Sequence, residues 1–225
     1  LDWLATEFVR QGWDIKAMHR LMVTTTAYRQ KSQPIAETQR IDADNRLLWR
    51  KTPQRLEAES VRDAILAVSG AIDRTMGGPP YLDFKTYFFK GTQFYDPLDQ
   101  VGEQFHRRSL YRMWARGGRS PFLDTFDCPD PSATSPKRAV TTTPLQALTL
   151  LNNAFIFGQA ELFAKRLQAE AGSDVEAQIH RAYSLAYGRA PEKRERELLR
   201  AFLDRHGLEA FARVIFNTNE FLQVE

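Results

Sequence analysis

Three aspartates spaced three residues apart are the side chains in this sequence that best suit chemistry. Asp124, Asp127 and Asp130 fall in the stretch LDTFDCPDPSATS, among Thr, Ser and Pro residues. Carboxylate and hydroxyl oxygens suit a hard cation such as calcium, and the pair Asp127 and Asp130 could act as acid and base in hydrolysis. The loop lacks the D-x-D-x-D-G pattern of an EF-hand. Aspartates beside Pro and Ser also cap turns, so a metal site, a hydrolytic pair and a structural role all stay open.

A row of arginines precedes these aspartates. Arg108, Arg112 and Arg116 are spaced by four, so they share one face of a helix or a strand, and Trp114 joins that face in a strand. Arg138 can add a further positive charge. Arginines with an aromatic between them are typical of a site for a polyanion, such as a sulfated or carboxylated polysaccharide. Alternatively, the arginines neutralise the aspartates of the next loop in one structural network.

Uncharged hydrogen-bonding groups gather where the most apolar segment of the chain begins. They are Thr141, Thr142, Thr143, Gln146, Asn152 and Asn153. A helix N-terminus attracts anions, whereas buried amides on such a helix more often bond the backbone of a neighbouring loop. Both interpretations of this polar segment stay open.

The cysteine content narrows the chemistry further. One cysteine excludes an internal disulfide, a cysteine-based metal cluster and a C-x-x-C-H haem attachment site. Cys128 is flanked by Asp127 and Asp130, and nearby carboxylates disfavour a thiolate. We therefore expect a packed, unreactive thiol.

The composition is that of a soluble globular protein with room for a sizeable core. The chain has 225 residues, of which 43% are hydrophobic and 26% charged. It has no run of eighteen apolar residues, so no membrane span is predicted. The net charge of +3 is only mildly basic, which makes nucleic acid an unlikely partner. Arginine far outnumbers lysine, which favours internal pairing with carboxylates.

Helices must position most of these groups, because apolar residues recur at helical spacing along much of the chain. The predicted helices are Leu1 to Gln11, Ile15 to about Thr26 with Asp14 as its cap, Glu57 to about Arg74, Pro144 to Leu167, Val175 to Tyr187, Glu192 to Asp204 and Leu208 to Phe216. The helix from Pro144 is apolar nearly all round, which predicts that it is buried at the centre of the fold. On the helix from Glu57, we expect Glu59, Arg62 and Asp63 to form local ion pairs.

The remaining segments are predicted to be strands or irregular. Tyr81 to Phe105 is rich in aromatic residues and favours strands or an extended hairpin, and Arg108 to Arg116 is predicted to be another strand. Tyr28 to Asp44 is expected to be irregular, and Asn45 to Arg50 a helical turn. The predicted fold is therefore mainly α, a helical domain built on a buried central helix, with a small β-containing insertion over residues 81–116.

Several segments together carry a family resemblance. They are LDWLATEFVRQGWDIKAMHRLMVTTTAYRQ, NRLLWR, RLEAESVRDAILAVSG followed by MGGPP, RRSLY, FDCPDPSATSPKRAVTTTPLQALTLLNN, LAYGRAPEKRE and FNTNEFLQVE. In this order they resemble a planctomycete domain of unknown function called PSD, which is found C-terminal to a cytochrome c domain in large secreted proteins. Cys128 stands where the family's F-D-x-P-D pattern has a small residue such as alanine.

The resemblance implies a setting rather than an activity. Residues 1–225 would form a single PSD-like domain, truncated at its N-terminus, within an exported and extracytoplasmic protein. Haem c would lie on a separate upstream domain, this chain would hold no cofactor, and its partners would be other domains of the same parent chain. We therefore expect an accessory interaction module. Binding of an anionic polysaccharide and hydrolysis at the Asp127/Asp130 loop stay as alternatives, and the family supplies no catalytic residue to carry over.

Overall fold

The computed structural model describes residues 1–224, which divide into two compact units. Among these residues, unit 1 comprises Leu1–Gln54 together with Gln223–Val224, and unit 2 comprises Arg55–Leu222. The prediction of one domain over residues 1–225 stays a prediction, because compactness does not decide whether either unit folds by itself. Among the residues described, no helix combines the length and hydropathy needed to cross a membrane.

Unit 1 contains three helices, α1 (Asp2–Arg10), α2 (Ile15–Val23) and α3 (Ala36–Ile41). The first two confirm the sequence prediction, and the Asp14 side chain accepts a hydrogen bond from the backbone N–H of Ala17, as an N-cap should. The prediction of an irregular segment from Tyr28 to Asp44 was wrong over α3. This helix has six residues, too few for an apolar period to show in the sequence.

The segment Asn45 to Arg50 is not a helical turn. Asn45 and Leu48 have φ of 55° and 54°, which a right-handed helix excludes. The Asn45 side chain organises the turn instead, because its Nδ2 donates to the Arg50 carbonyl over 2.8 Å. Asn adopts positive φ more readily than most residues, and this was the available signal.

The elements that follow confirm the prediction of a mainly α fold with a small β-containing part. In chain order they are β1 (Gln54–Arg55), α4 (Ala58–Ser69), β2 (Phe84–Phe89), β3 (Thr92–Pro97), α5 (Pro121–Thr125), α6 (Pro144–Asn152), α7 (Ala154–Ala171), α8 (Val175–Ala186), α9 (Lys193–Phe216) and β4 (Gln223–Val224). Two 3-10 turns, Glu103–Phe105 and Ser109–Tyr111, lie between β3 and α5.

Helix α7 is the buried centre of unit 2, as its apolar composition predicts. Phe155, Ile156, Phe163 and Leu167 are at most 2% exposed, and α4, α8 and α9 pack around them. The Phe163 ring stacks on Phe216 of α9 with centroids 5.6 Å apart. Burying such apolar side chains is the main favourable contribution to folding.

The prediction of one helix from Pro144 to Leu167 was wrong, because the chain breaks at Asn153. This residue has an extended ψ of 138°, and its Oδ1 accepts from the backbone N–H of Phe155, so it caps a new helix. The break changes the direction of the chain, so that Leu150 of α6 is fully buried while another side of this helix faces solvent. Leu145 and Leu148 of α6 are consequently 60% and 54% exposed, although the composition predicts burial on all sides.

Glycines decide two further helix boundaries. Helix α4 ends at Ser69 rather than near Arg74, because Gly70 takes φ of 84° as a left-handed C-cap. Helix α9 is interrupted at Gly207, where φ is 76° and ψ is 175°, so the predicted separation of the last two helices is confirmed.

The aromatic segment forms a β-hairpin, as predicted. Strands β2 and β3 pair antiparallel with Phe89 opposite Thr92, and Lys90 and Gly91 form the turn with φ of 50° and 80°. The predicted strand from Arg108 to Arg116 was wrong. Its first part is the 3-10 turn Ser109–Tyr111, and its only strand-like pairing in the described chain is an isolated bridge between Tyr81 and Arg112.

Candidate functional site

A cleft of unit 2 lies between α4, the chain around Ser109–Trp114 and the loop that follows α5. Its volume is about 820 Å³, within the range of small-molecule sites. The side chains lining it that can do chemistry are Glu57, Glu59, Asp63, Cys128, Asp130, Arg138 and Trp114. Since four of these are carboxylates and one is a guanidinium, the cleft is acidic in a chain whose net charge is +3.

A bidentate ion pair fixes one wall of the cleft. Arg138 donates through its two terminal nitrogens to the two carboxylate oxygens of Glu59, over 2.7 and 3.0 Å. Burial raises the pKa of Glu59, but the hydrogen bonds from Arg138, the backbone and Cys128, together with the charge of Arg138, outweigh it and leave that pKa below its ordinary value. Glu59 therefore stays ionised and ties the loop after α5 to the first turn of α4.

The thiol of Cys128 packs against the same pair. Its Sγ lies 3.9 Å from Glu59 Oε1. Burial, reinforced by the negative charge of Glu59, raises the pKa of Cys128 to about 12. This agrees with the packed, unreactive thiol expected from the flanking aspartates, although a glutamate distant in sequence supplies most of the charge effect.

Asp63 holds the opposite wall. Its carboxylate accepts from the backbone N–H of Ser109 over 2.8 Å and from the Ser109 hydroxyl over 2.7 Å. The contact fixes the start of the 3-10 turn against α4. Sequence reasoning missed this pair, because the two residues are 46 positions apart.

Each of the three loop aspartates is held by donors within the protein. Arg119 donates to Asp124 over 2.8 Å and to Asp130 over 2.9 Å. Asp130 also accepts from the backbone N–H of Ser132, and these contacts, Ser132 first, lower its pKa. Within residues 1–224, no group of three or more His, Cys, Asp or Glu side chains is placed to hold a metal ion.

Asp127 has different hydrogen-bond partners from those of the other two aspartates. Its carboxylate accepts from the backbone N–H of Thr141 over 2.7 Å and from the Thr141 hydroxyl over 2.8 Å. Its backbone has φ of 65°, a conformation that Asp tolerates better than most residues. The geometry is that of an aspartate closing a loop, the structural alternative considered from the sequence.

The arginine row does not share one face. Arg112 is buried, donating through Nε to Asp83 over 2.8 Å and through a terminal nitrogen to the Gly118 carbonyl over 2.8 Å. Arg108 is half-buried with a terminal nitrogen 3.5 Å from the Tyr111 hydroxyl, whereas Arg116 is exposed. The prediction of a shared face failed because the 3-10 turn changes the direction of successive side chains.

Trp114 lies at the rim of the cleft. The guanidinium of Arg112 stands 4.8 Å from the centre of its ring, at cation–π distance, and 39% of the residue remains exposed. The aromatic that was expected to join an arginine row therefore borders a cleft lined by carboxylates.

The polar groups at the start of α6 serve the local fold. Thr143 and Gln146 form a capping box. Arg55 donates to Thr142 Oγ1 and to Gln146 Oε1, each over 2.8 Å, while Asn152 is exposed. Of the two interpretations left open by the sequence, bonding to neighbouring protein groups is the one observed.

A buried polar network beneath the cleft was also missed. Arg62 is fully buried and donates to Gln100 Oε1 over 2.6 Å and to the Arg107 carbonyl over 3.0 Å. Gln100 in turn donates to Asp83 over 2.8 Å. The local ion pair expected between Arg62 and Asp63 is present at 3.4 Å, whereas Glu59 pairs with Arg138 instead. The position of Arg62 four residues after Ala58, on the apolar face of α4, was the signal that its side chain points inward.

Unit 1 carries a separate apolar groove of about 410 Å³ between α1 and α2. Its lining is mainly hydrophobic: Leu1, Leu4, Ala5, Phe8, Ile15, Met18 and Met22, with Asp2 and His19 at the edge. None of the residues of α1 is buried. The first helix is thus formed by an amphipathic segment whose apolar side chains, such as Leu4 and Phe8, are only partly covered.

Comparison with known proteins assigns the chain to a protein family but gives no biochemical activity. The family model PSD1, described as a protein of unknown function (DUF1553), matches residues 1–203, so the chain belongs to this family, as the sequence resemblance predicts. Neither the curated proteins nor the solved structures contained a match.

Proposed function

We propose that this chain is an accessory interaction module of a larger exported protein that also carries cytochrome c, and that it docks through the groove of unit 1. The observation that carries the proposal is α1, a helix of nine residues with no buried residue. An isolated helix shorter than about 12 residues is marginal in water. Such a helix gains stability chiefly by burying its apolar face against another surface.

The composition of the groove supports an apolar partner surface. Leu1 and Ile15, which line the groove, are 103% and 60% exposed, and a contiguous exposed apolar surface marks an interaction site more often than scattered exposed residues do. Each Å² of apolar surface covered contributes about 25 cal/mol. The neighbour we propose is another domain of the parent chain, as the sequence resemblance implies.

The test is a titration of the parent's cytochrome c domain into this chain, with Ile15→Asp as the disrupting variant. Ile15 lines the groove, is 60% exposed and is the first residue of α2, where an acidic residue suits the helix dipole. Ile35→Asp is the matched control, because Ile35 is also 60% exposed and occupies the N-cap of α3. We expect Ile15→Asp to weaken binding at least tenfold, with Ile35→Asp near wild type.

Salt dependence identifies the kind of contact. Apolar docking should change little between low and high salt, whereas charge-driven binding weakens as salt rises. Absence of binding by the wild-type chain, or equal weakening by both variants, would reject the docking proposal.

Polysaccharide binding in the cleft of unit 2 is the second candidate. The observation that favours it is Trp114 at the rim, close to carboxylates such as Glu59 and Asp130. Sugars stack on aromatic rings, and their hydroxyl groups donate hydrogen bonds to carboxylates. The acidic lining repels sulfate and carboxylate groups, so a neutral chain suits the cleft better than the anionic polysaccharide first expected. Binding assays with neutral and sulfated polysaccharides, repeated with Trp114→Ala, decide between them.

A further inference from the structure

The β2–β3 hairpin is buried at its base and exposed to solvent at its tip. Phe84 at the base is 4% exposed and contacts Tyr95 edge to face with centroids 5.1 Å apart. Exposure then rises along the strand to 73% at Phe88 and 58% at Phe89. The hairpin therefore holds two large aromatic side chains in water, away from the body of unit 2. Exposing these apolar rings is unfavourable, and the packing of unit 2 does not require it.

The exposed rings occupy both faces of the hairpin. Tyr87 lies opposite Phe94 in the register, and their rings stack at 5.3 Å with an interplanar angle of 15°. Residues directly opposite share a face and successive residues alternate, so Phe89 extends this aromatic face while Phe88 lies on the other. A flat partner surface would cover one face and leave the other in water.

We infer that the tip of this hairpin inserts into the headgroup region of a membrane containing anionic lipid. A bilayer interface surrounds an inserted tip and so covers both aromatic faces at once. The apolar rings of Phe88 and Phe89 suit the boundary between headgroups and acyl chains, and the amphipathic ring of Tyr87 suits the headgroup level. The charges fit the same medium. Lys90 at the turn carries the positive charge of the tip, and its Nζ lies 5.4 Å from the Phe89 ring centre. Lys85, nearer the base, stands opposite Asp96, the acidic residue of the two strands. A lysine beside an inserted ring reaches the anionic headgroups.

The experiment is flotation of the full chain with vesicles of phosphatidylcholine alone or mixed with phosphatidylglycerol. We expect binding to the mixed vesicles at low salt, weaker binding to the neutral ones and partial loss as salt rises. The double variant Phe88→Ser/Phe89→Ser should lower the partition coefficient at least tenfold. Both side chains are exposed, so the fold should survive, which thermal melting checks.

Two further variants keep the result interpretable. Phe157→Ser removes another exposed phenylalanine, 46% exposed on α7 and far from the hairpin in the chain, and should bind as the wild type does. Phe88→Trp/Phe89→Trp keeps aromatic rings at the tip and should retain binding. Three results would each overturn the inference: no binding by the wild-type chain, equal binding to both kinds of vesicle, or binding that survives in the double serine variant. The first of these results would favour a pocket on another protein as the partner of the hairpin tip.

Discussion

Arg112 Nε lies 2.8 Å from Asp83 Oδ2, and each side chain is only 1% exposed. The pair joins the residue before the hairpin to the chain that follows the 3-10 turn. Removing one member of a buried pair leaves the other charge without a partner, which costs about 3–5 kcal/mol. We expect Asp83→Ala to lower the free energy of unfolding by this amount, measured by urea denaturation.

A surface pair provides the contrast for that measurement. Lys165 and Glu161 are separated by 2.6 Å, but their side chains are 65% and 53% exposed, and such pairs contribute about 0–1 kcal/mol. Lys165→Ala should therefore be nearly neutral. A similar small effect for Asp83→Ala would mean that water reaches Arg112 and that the pair is not a fixed element of the fold.

Replacement of Asp127 separates a structural carboxylate from a catalytic one. Asp127→Asn keeps the size and the tolerance for positive φ but weakens the contacts to the N–H and hydroxyl of Thr141. We expect a loss of about 1–2 kcal/mol in stability, read as a lower melting temperature. A variant with unchanged melting that abolishes turnover of a glycoside or ester substrate would favour the hydrolase alternative.

Alkylation of Cys128 reports on the cleft wall. Because burial and Glu59 hold the pKa of its thiol at about 12, almost no thiolate exists at pH 8. We expect iodoacetamide to modify the folded protein at least about 100-fold more slowly than the same chain in guanidinium chloride. Mass spectrometry of the quenched reaction measures both rates, and equal rates would show that the wall opens freely.

The helix start at Glu195 gives a pH dependence with a defined sign. Arg189 donates to both oxygens of Glu195 over 2.8 and 2.7 Å, and this contact lowers the pKa of Glu195 from 4.5 to about 2. A depressed acidic pKa contributes stability that is present above the unfolded value and lost as pH falls through the folded one. Glu195→Gln should thus be less stable than wild type by about 1 kcal/mol at pH 7, with the gap closing between about pH 4.5 and 2.

The control for that pH series lies on the same helix. Glu197 is exposed, so Glu197→Gln should leave the stability curve close to wild type at every pH. Melting temperatures collected across the series compare the three proteins. A gap for Glu195→Gln that stays constant down to pH 2 would contradict the assignment to Arg189.

Local patterns predicted most elements of the fold and few of its boundaries. Apolar spacing placed α1, α2, α4 and α8, because a helix repeats its buried face every three to four residues. The break at Asn153 depends on one backbone dihedral and one side-chain cap, so the continuous apolar pattern around it gave no warning. Gly70 ends α4 for the same kind of local reason.

The candidate site was predicted in part for a different physical reason. The polar composition of the loop after α5 suggested a site there. Asp130 and Arg138 of this loop line the cleft, and Asp127 closes the loop by binding Thr141. The partners of these residues come from distant parts of the chain, however. Glu59 and Arg138 are 79 positions apart, and spacing along one segment contains no information about such pairs.

The loop between α5 and α6 forms one wall of the cleft without any helix or strand of its own. Phe126 and Cys128 at its start are buried in the apolar core, and the rest of the loop is attached by ionic or polar contacts, chiefly Arg138 to Glu59 and Thr141 to Asp127. Segments with exposed polar attachments open at lower free energy than the core does, and salt screens their charges. Amide hydrogen exchange in this loop should therefore accelerate with ionic strength while α7 stays protected. The salt concentration then determines how often this wall of the cleft opens.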